Sequence, residues 1–162
     1  MFYTNIFTHN FMKLLIQRVA KAEVRVEGQA VGQISQGFLV LCGFKKGDSV
    51  DNIARMAEKC LNLRVFEDIE EKMNLSLLDI KGELLAVSQF TLYADCRKGR
   101  RPGFDNSMLP EQAKQYYELF VEELKKSHLK VEKGIFGAKM KIKLVNDGPV
   151  TIMLDSDDLS KH

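Results

Sequence analysis

Three stretches of the 162-residue chain carry residue types that could do chemistry. Ser88-Gln89-Phe90-Thr91-Leu92 sets two hydroxyls and a carboxamide directly after the apolar run Leu84-Leu85-Ala86-Val87. As the continuation of a strand it places Ser88 and Phe90 on one face and Gln89 and Thr91 on the other. Taken alone it is also ordinary strand sequence, with Ser and Gln marking a strand end. The loop Arg97-Lys98-Gly99-Arg100-Arg101-Pro102-Gly103-Phe104 concentrates basic residues and ends in an aromatic. Such a loop suits phosphate oxygens by charge and a base by stacking on Phe104, or is simply solvated surface. Lys139, Lys141 and Lys143 either extend that basic surface or form the wet face of a strand. Asn146-Asp147-Gly148-Pro149-Val150-Thr151 reads first as a turn between strands. A cis Gly148-Pro149 bond would aim two successive carbonyls in nearly the same direction, an acceptor fork for an ammonium group.

The missing residues narrow the chemistry. Of 3 histidines, His9 and His162 fall in the chain ends, and His128 falls at the end of a helix, where it answers the macrodipole. A Ser-His-Asp or Cys-His arrangement would depend on that single side chain. No His/Cys/Asp/Glu cluster has metal-ligand spacing, and no phosphate-binding glycine pattern is present, so neither metal nor cofactor is expected. The 3 cysteines, Cys42, Cys60 and Cys96, are too widely spaced for a zinc site or a disulfide framework. A reducing, cytoplasmic setting follows. An enzyme built from this chain works without the usual side-chain bases.

The elements that must position these stretches are legible from periodicity. With 45% hydrophobic and 28% charged residues, the chain has the composition of one globular domain, not of a disordered one. A net charge of +2 demands no polyanionic partner by itself. The longest apolar run, around Phe38 to Cys42, is far shorter than the roughly 20 residues of a membrane span. Residues 1–11 are aromatic-rich without a basic or cleavable leader pattern, and Met12 is a second possible start; they are expected to be a dispensable extension. Residues 12–158 form the domain and 159–162 a tail. Strands are expected from Lys13 to Phe44, at Leu75 to Leu78, from Glu83 to Tyr93, and at Val150 to Leu154. Asp48 or Ser49 should cap a first helix whose buried stripe is Ile53, Met56, Ala57, Cys60 and Leu61. Pro110 opens a second, with the stripe Ala113, Tyr116, Tyr117, Phe120, Val121 and Leu124. Met140, Ile142 and Leu144 should share one strand face. Two helices cannot cover both faces of so large a sheet, which leaves a face for a partner.

Together the three stretches resemble the D-aminoacyl-tRNA deacylases, of the D-tyrosyl-tRNA deacylase type found in bacteria and eukaryotes. The resemblance runs from about Met12 to Asp157. It includes Leu15-Ile16-Gln17-Arg18-Val19 as a first strand, Ser88-Gln89-Phe90-Thr91-Leu92 and Asn146-Asp147-Gly148-Pro149-Val150-Thr151 as two signatures, and the basic loop between them, with Gly103 where a serine is common. It implies an α/β (α+β) single domain with a large mixed, partly barrel-like sheet, two main helices and a sheet face packed in a homodimer. It implies hydrolysis of the ester between a D-amino acid and the 3′-terminal ribose of tRNA, and plausibly of mischarged glycyl-tRNA. Gly148 and Pro149 of one subunit would enter the other's pocket and bind the α-ammonium through their carbonyls, with Arg18 holding them. Ser88, Gln89, Phe90 and Thr91 would form the catalytic wall, with the tRNA's own 2′-OH assisting and Thr91 a debated nucleophile. Arg97, Lys98, Arg100, Arg101 and Phe104 would meet the RNA.

Two other readings start from the same residues. A dimeric nucleic-acid-binding module would use the basic loop 97–101 and cleave nothing. A threonine hydrolase would depend on Thr91 as its attacking group.

Overall fold

The computed structural model describes residues 12–159. The expected extension 1–11, with His9, and His162 lie outside the described residues. The fold is α+β: a large, nearly closed mixed sheet and three helices, the third a single turn, α3 (Ser156–Leu159).

The sheet is organised by β1 (Met12–Val26), whose burial alternates with the two-residue period of its sequence. β8 (Met140–Asp155) runs antiparallel to nearly its whole length. Its other partners are β3 (Gly37–Phe44) along Met12 to Val19 and β2 (Gln29–Ile34) along Ala22 to Val26. β3 then takes β6 (Glu83–Ser88) in parallel, and β6 takes β7 (Val131–Lys133). Gly37 is required where β3 begins, because a Cβ there would lie 1.8 Å from the Glu83 carbonyl oxygen. A separate hairpin pairs β4 (Phe66–Glu67) with β5 (Met73–Leu75).

Both main helices pack on one face. α1 (Asp51–Asn62) buries Ile53, Met56, Ala57, Cys60 and Leu61, the stripe expected from spacing. α2 (Pro110–Lys125) starts on its proline and buries Ala113, Tyr117, Phe120, Val121 and Leu124, with Tyr116 half-buried. The Tyr117 hydroxyl donates to the Ala86 carbonyl at 2.9 Å, tying α2 to the end of β6. The main core lies between these helices and the sheet. A smaller cluster of Val19, Ala22, Val24, Ile34, Leu39, Leu85 and Val87 lies apart from it, with Met140 and Ile142 packed against it.

Four expectations are corrected. β6 stops at Ser88, and Phe90–Tyr93 form one turn of 3-10 helix instead of more strand. Pairing with β3 ends at Cys42 opposite Ser88, and the Gln89 N–H closes on the Cys42 carbonyl at 2.7 Å, which turns the chain. The stretch after Leu75 is a turn closed by Ser76 and Asp79, each donating its N–H to the other's side-chain oxygen at 2.8 and 3.1 Å. Asp48 does not cap α1, since its carboxylate accepts the Lys45 N–H at 2.6 Å, whereas the Ser49 hydroxyl oxygen accepts the Asp51 N–H at 3.2 Å at the helix start. Finally, Asn146 to Pro149 is no turn between strands, because β8 runs through it. Gln17 faces Thr151 and Val19 faces Asn146, so Asp147, Gly148, Pro149 and Val150 bow out opposite Arg18 alone.

Candidate active site

A cleft of about 620 Å³ opens beside the end of β6. Ser88, Gln89 and Phe90 line it, next to Phe104, Asp105 and Ser107 to Pro110. Cys42, Val87, Met108 and Ala113 supply apolar lining, and Phe136 to Ala138, Met140 and Ile142 close the remaining side. The mix of apolar floor and few polar groups is that of a small-molecule site. At the rim, Phe90 and Phe104 meet edge to face with ring centroids 5.0 Å apart, both substantially exposed. Burial pushes the Cys42 thiol well above its ordinary pKa, which makes it an inert hydrophobic residue of the wall.

The 3-10 turn sets the geometry of the polar wall. Its first N–H groups have no partner within the turn, as at any helix start. The Leu92 N–H closes on the Gln89 carbonyl at 3.3 Å and the Ala94 N–H on the Thr91 carbonyl at 3.0 Å. Thr91 is exposed and does not line the cleft, and Gln89 Nε2 donates to its hydroxyl oxygen. A carboxamide is no proton acceptor for a nucleophilic threonine. None of the described histidines lines the cleft either: His128 lies beyond α2, its N–H donating to the Lys125 carbonyl at 3.0 Å.

The basic loop divides into fixed and free members. Asp95 and Gly103 exchange two backbone hydrogen bonds of 2.8 Å and pinch the loop shut. Arg97 turns back on the carboxylate of Asp95, with Nε on Oδ1 at 2.8 Å and a terminal nitrogen on Oδ2 at 2.7 Å. That pair holds the Asp95 carboxyl down at about 2. Arg97, Lys98 and Arg101 border a cleft of about 330 Å³ with Asn106 and Asp105. Arg100 is exposed outside it. Phe104 belongs instead to the rim of the main cleft.

Arg18, Gly148 and Pro149 do not join the residues lining this cleft. Arg18 is 5% exposed, and its guanidinium donates to the Asp147 carbonyl at 2.9 Å and the Val65 carbonyl at 2.5 Å. The Gly148–Pro149 bond is cis, and both residues are exposed at the crest of the bowed segment. Gly148 has φ +136, and a Cβ on it would come within 2.8 Å of Val150 Cγ2 and 3.0 Å of an Arg18 terminal nitrogen. Sequence reasoning missed Ser107, Met108 and Phe136 to Ala138 in the cleft wall. They carry no motif; of the cleft's apolar lining, Ala113, Met140 and Ile142 had a periodic signal.

Residues 15–155 match the family model described as D-Tyr-tRNA(Tyr) deacylase. The D-aminoacyl-tRNA deacylase of Thermosipho africanus is 59% identical over 145 residues, covering 90% of this chain and 97% of that protein. The Clostridium botulinum protein of the same name is 56% identical over the same shares. The solved structure of the c-Myc DNA Unwinding Element Binding Protein superposes with a TM-score of 0.82 at 42% identity, covering 88% of this chain and 97% of that one. A structure described as a "probable eukaryotic D-amino acid tRNA deacylase" has a TM-score of 0.79 at 17% identity over 90% and 99% of the two chains, and speaks to the fold alone.

Proposed function

The chain belongs to the D-Tyr-tRNA(Tyr) deacylase family, and from that premise we propose how its own residues perform the reaction. It is a D-aminoacyl-tRNA deacylase, a carboxylic ester hydrolase of translation quality control. Water adds to the ester carbonyl, the 3′-oxygen of the terminal ribose leaves with a proton, and free D-amino acid and tRNA separate. An aminoacyl ester is already reactive, so the catalyst has chiefly to orient it and to stabilise one oxyanion. A well-aimed donor contributes about 3–4 kcal/mol to that. Backbone N–H groups of the Phe90–Thr91 turn serve as donors, and Ser88, Gln89 and Phe90 hold the substrate against them. The vicinal 2′-OH of the tRNA arrives pre-positioned to assist.

One observation carries the reading of chirality. Gly148 and Pro149 do not line the cleft of their own chain, while Arg18 holds the root of their exposed crest. A second copy of the chain brings them together: the crest of one subunit enters the cleft of the other. There the carbonyls of Gly148 and Pro149 accept the α-ammonium and leave no room for an L side chain. Exposed Leu144, Val145 and Met153 on β8 support such a homodimer, since exposed apolar side chains favour burial against a partner. A sieve of this kind has no steric reason to reject glycine, so glycine esterified to the wrong tRNA is also a substrate. Lys98, Arg100 and Arg101 hold the backbone near the 3′ end, and the Phe90–Phe104 pair offers a stacking surface to a terminal base. The setting is cytoplasmic; no described helix is long and apolar enough to cross a membrane.

The test is release of amino acid from D-tyrosyl-tRNA and L-tyrosyl-tRNA side by side, with a chelator present. Fast loss of the D-ester with the L-ester spared is the expected result. Equal loss of both would overturn the sieve, and loss of neither would overturn the activity.

A further inference from the structure

Ser107 faces the 3-10 turn across the cleft wall and is 8% exposed. Its backbone is firmly placed. It bridges Lys45 just past β3, and its N–H donates to the Phe104 carbonyl at 3.0 Å. On either side of it, the Asn106 carbonyl accepts the Lys46 N–H and the Met108 N–H reaches the Phe44 carbonyl, both at 3.0 Å. From this anchored position the Ser107 hydroxyl donates to the Phe90 carbonyl at 3.2 Å. That oxygen belongs to the Phe90–Thr91 peptide unit. The unit is planar, with its C=O and N–H pointing in opposite directions, so holding the oxygen fixes where the Thr91 N–H aims. The units around it are held from elsewhere: Gln89 N–H by Cys42, and the Gln89 and Thr91 carbonyls by Leu92 and Ala94. The Phe90–Thr91 unit receives its side-chain hydrogen bond from Ser107.

We propose that Ser107 is a positioning residue for the deacylation, its hydroxyl holding the Phe90–Thr91 peptide so that the N–H groups at the start of the 3-10 turn, beside Phe90 in the cleft, meet the scissile carbonyl oxygen. The inference rests on the oxyanion role given to this turn under the proposed function. A misaimed donor is still present and loses only part of its effect. Ser107 therefore shapes the chemical step more than the capture of tRNA.

Ser107→Ala, Ser107→Thr and Ser107→Cys in the full chain would be assayed on D-tyrosyl-tRNA, with kcat and KM determined separately and thermal melting in parallel. Ser107→Ala should lower kcat about tenfold, a fraction of what losing an oxyanion donor costs. Its KM should stay within about twofold, while Ser107→Thr returns most of kcat because it restores the hydroxyl. Ser107→Cys, a weak donor of similar size, should fall between them and decides the matter if the alanine variant does not fold. An unchanged kcat in both Ser107→Ala and Ser107→Cys, or a rise in KM alone, would overturn the inference. Wild-type protein inactive on the D-ester would instead overturn the functional reading beneath it.

Discussion

The Arg18 guanidinium meets the Asp147 carbonyl at 2.9 Å at the longer of the two places where β8 leaves register with β1. Asp147 is followed directly by Gly148 and Pro149, so a buried cation on β1 fixes the root of the exposed crest. The same guanidinium holds the Val65 carbonyl, which spans the crest and the chain entering β4. Arg18→Ala should destabilise the fold by roughly 2–4 kcal/mol, because one buried and one part-buried acceptor lose a charged donor. It should also remove most activity. Arg18→Lys keeps the charge without the planar fork that serves both carbonyls, and should recover stability better than activity. Urea unfolding and D-tyrosyl-tRNA hydrolysis on the same preparations check both.

Thr91 separates the RNA-assisted mechanism from a threonine hydrolase. Its hydroxyl lies outside the cleft lining and takes a hydrogen bond from Gln89. Thr91→Ala should keep activity within about tenfold of wild type, whereas loss of a true nucleophile costs several orders of magnitude. A D-aminoacyl-tRNA ending in 2′-deoxyadenosine should be hydrolysed more than about 100-fold more slowly, since it lacks the pre-positioned hydroxyl. Single-turnover rates on the two substrates give the comparison.

The cations of the basic loop should differ in their salt dependence. Lys98, Arg100 and Arg101 are exposed, while Arg97 is held by Asp95. Alanine at each of the first three should lower the slope of log K against log salt by about 0.7–0.9 per lost phosphate contact. Arg97→Ala should weaken binding with a smaller change of slope, because it frees a loop more than it removes a contact. Titration of uncleaved tRNA at several salt concentrations distinguishes the two behaviours.

Asp48 should make stability fall as pH rises. Burial pushes its carboxyl up to about 7; Oδ2 accepts the Lys45 N–H, and Oδ1 is buried with no hydrogen-bond partner among the described residues. The unfolded chain releases this proton near pH 4, so between about pH 4 and 7 the native state binds more protons than the unfolded one. The stability contributed by this group is present at the acid end and lost as pH rises through 7. Asp48→Asn should flatten that part of the curve and gain on the order of 2 kcal/mol relative to wild type at pH 8. Urea midpoints at pH 5 and pH 8 test it.

The helices were legible in the sequence because their stability comes from one apolar stripe each, and period alone reveals it. The stretch from Ser88 to Tyr93 was legible in composition but not in shape. Phe90, Thr91, Leu92 and Tyr93 are strand formers by type, yet β3 offers no partner beyond Cys42, so tertiary pairing overrides propensity there. Asn146 to Pro149 has the composition of a turn. Only the length of β1, which backs both halves of β8, turns it into a bow in one strand. The link from Ser107 to Phe90 joins residues 17 positions apart and leaves no trace in periodicity.

The proposal that crest and cleft of two subunits form one site is tested most directly by mixing two defects. Gly148→Ala strains the crest, whose φ of +136 suits glycine. A Gln89 or Phe90 variant inactive on its own disables the cleft. When the two chains are co-expressed, about half of the dimers are mixed, and each holds one intact cleft facing one intact crest. Hydrolysis of D-tyrosyl-tRNA should then recover to about one quarter of wild type, although each variant alone is inactive. Mixed dimers without activity would contradict a site built from two subunits and would place crest and cleft in the service of the same chain.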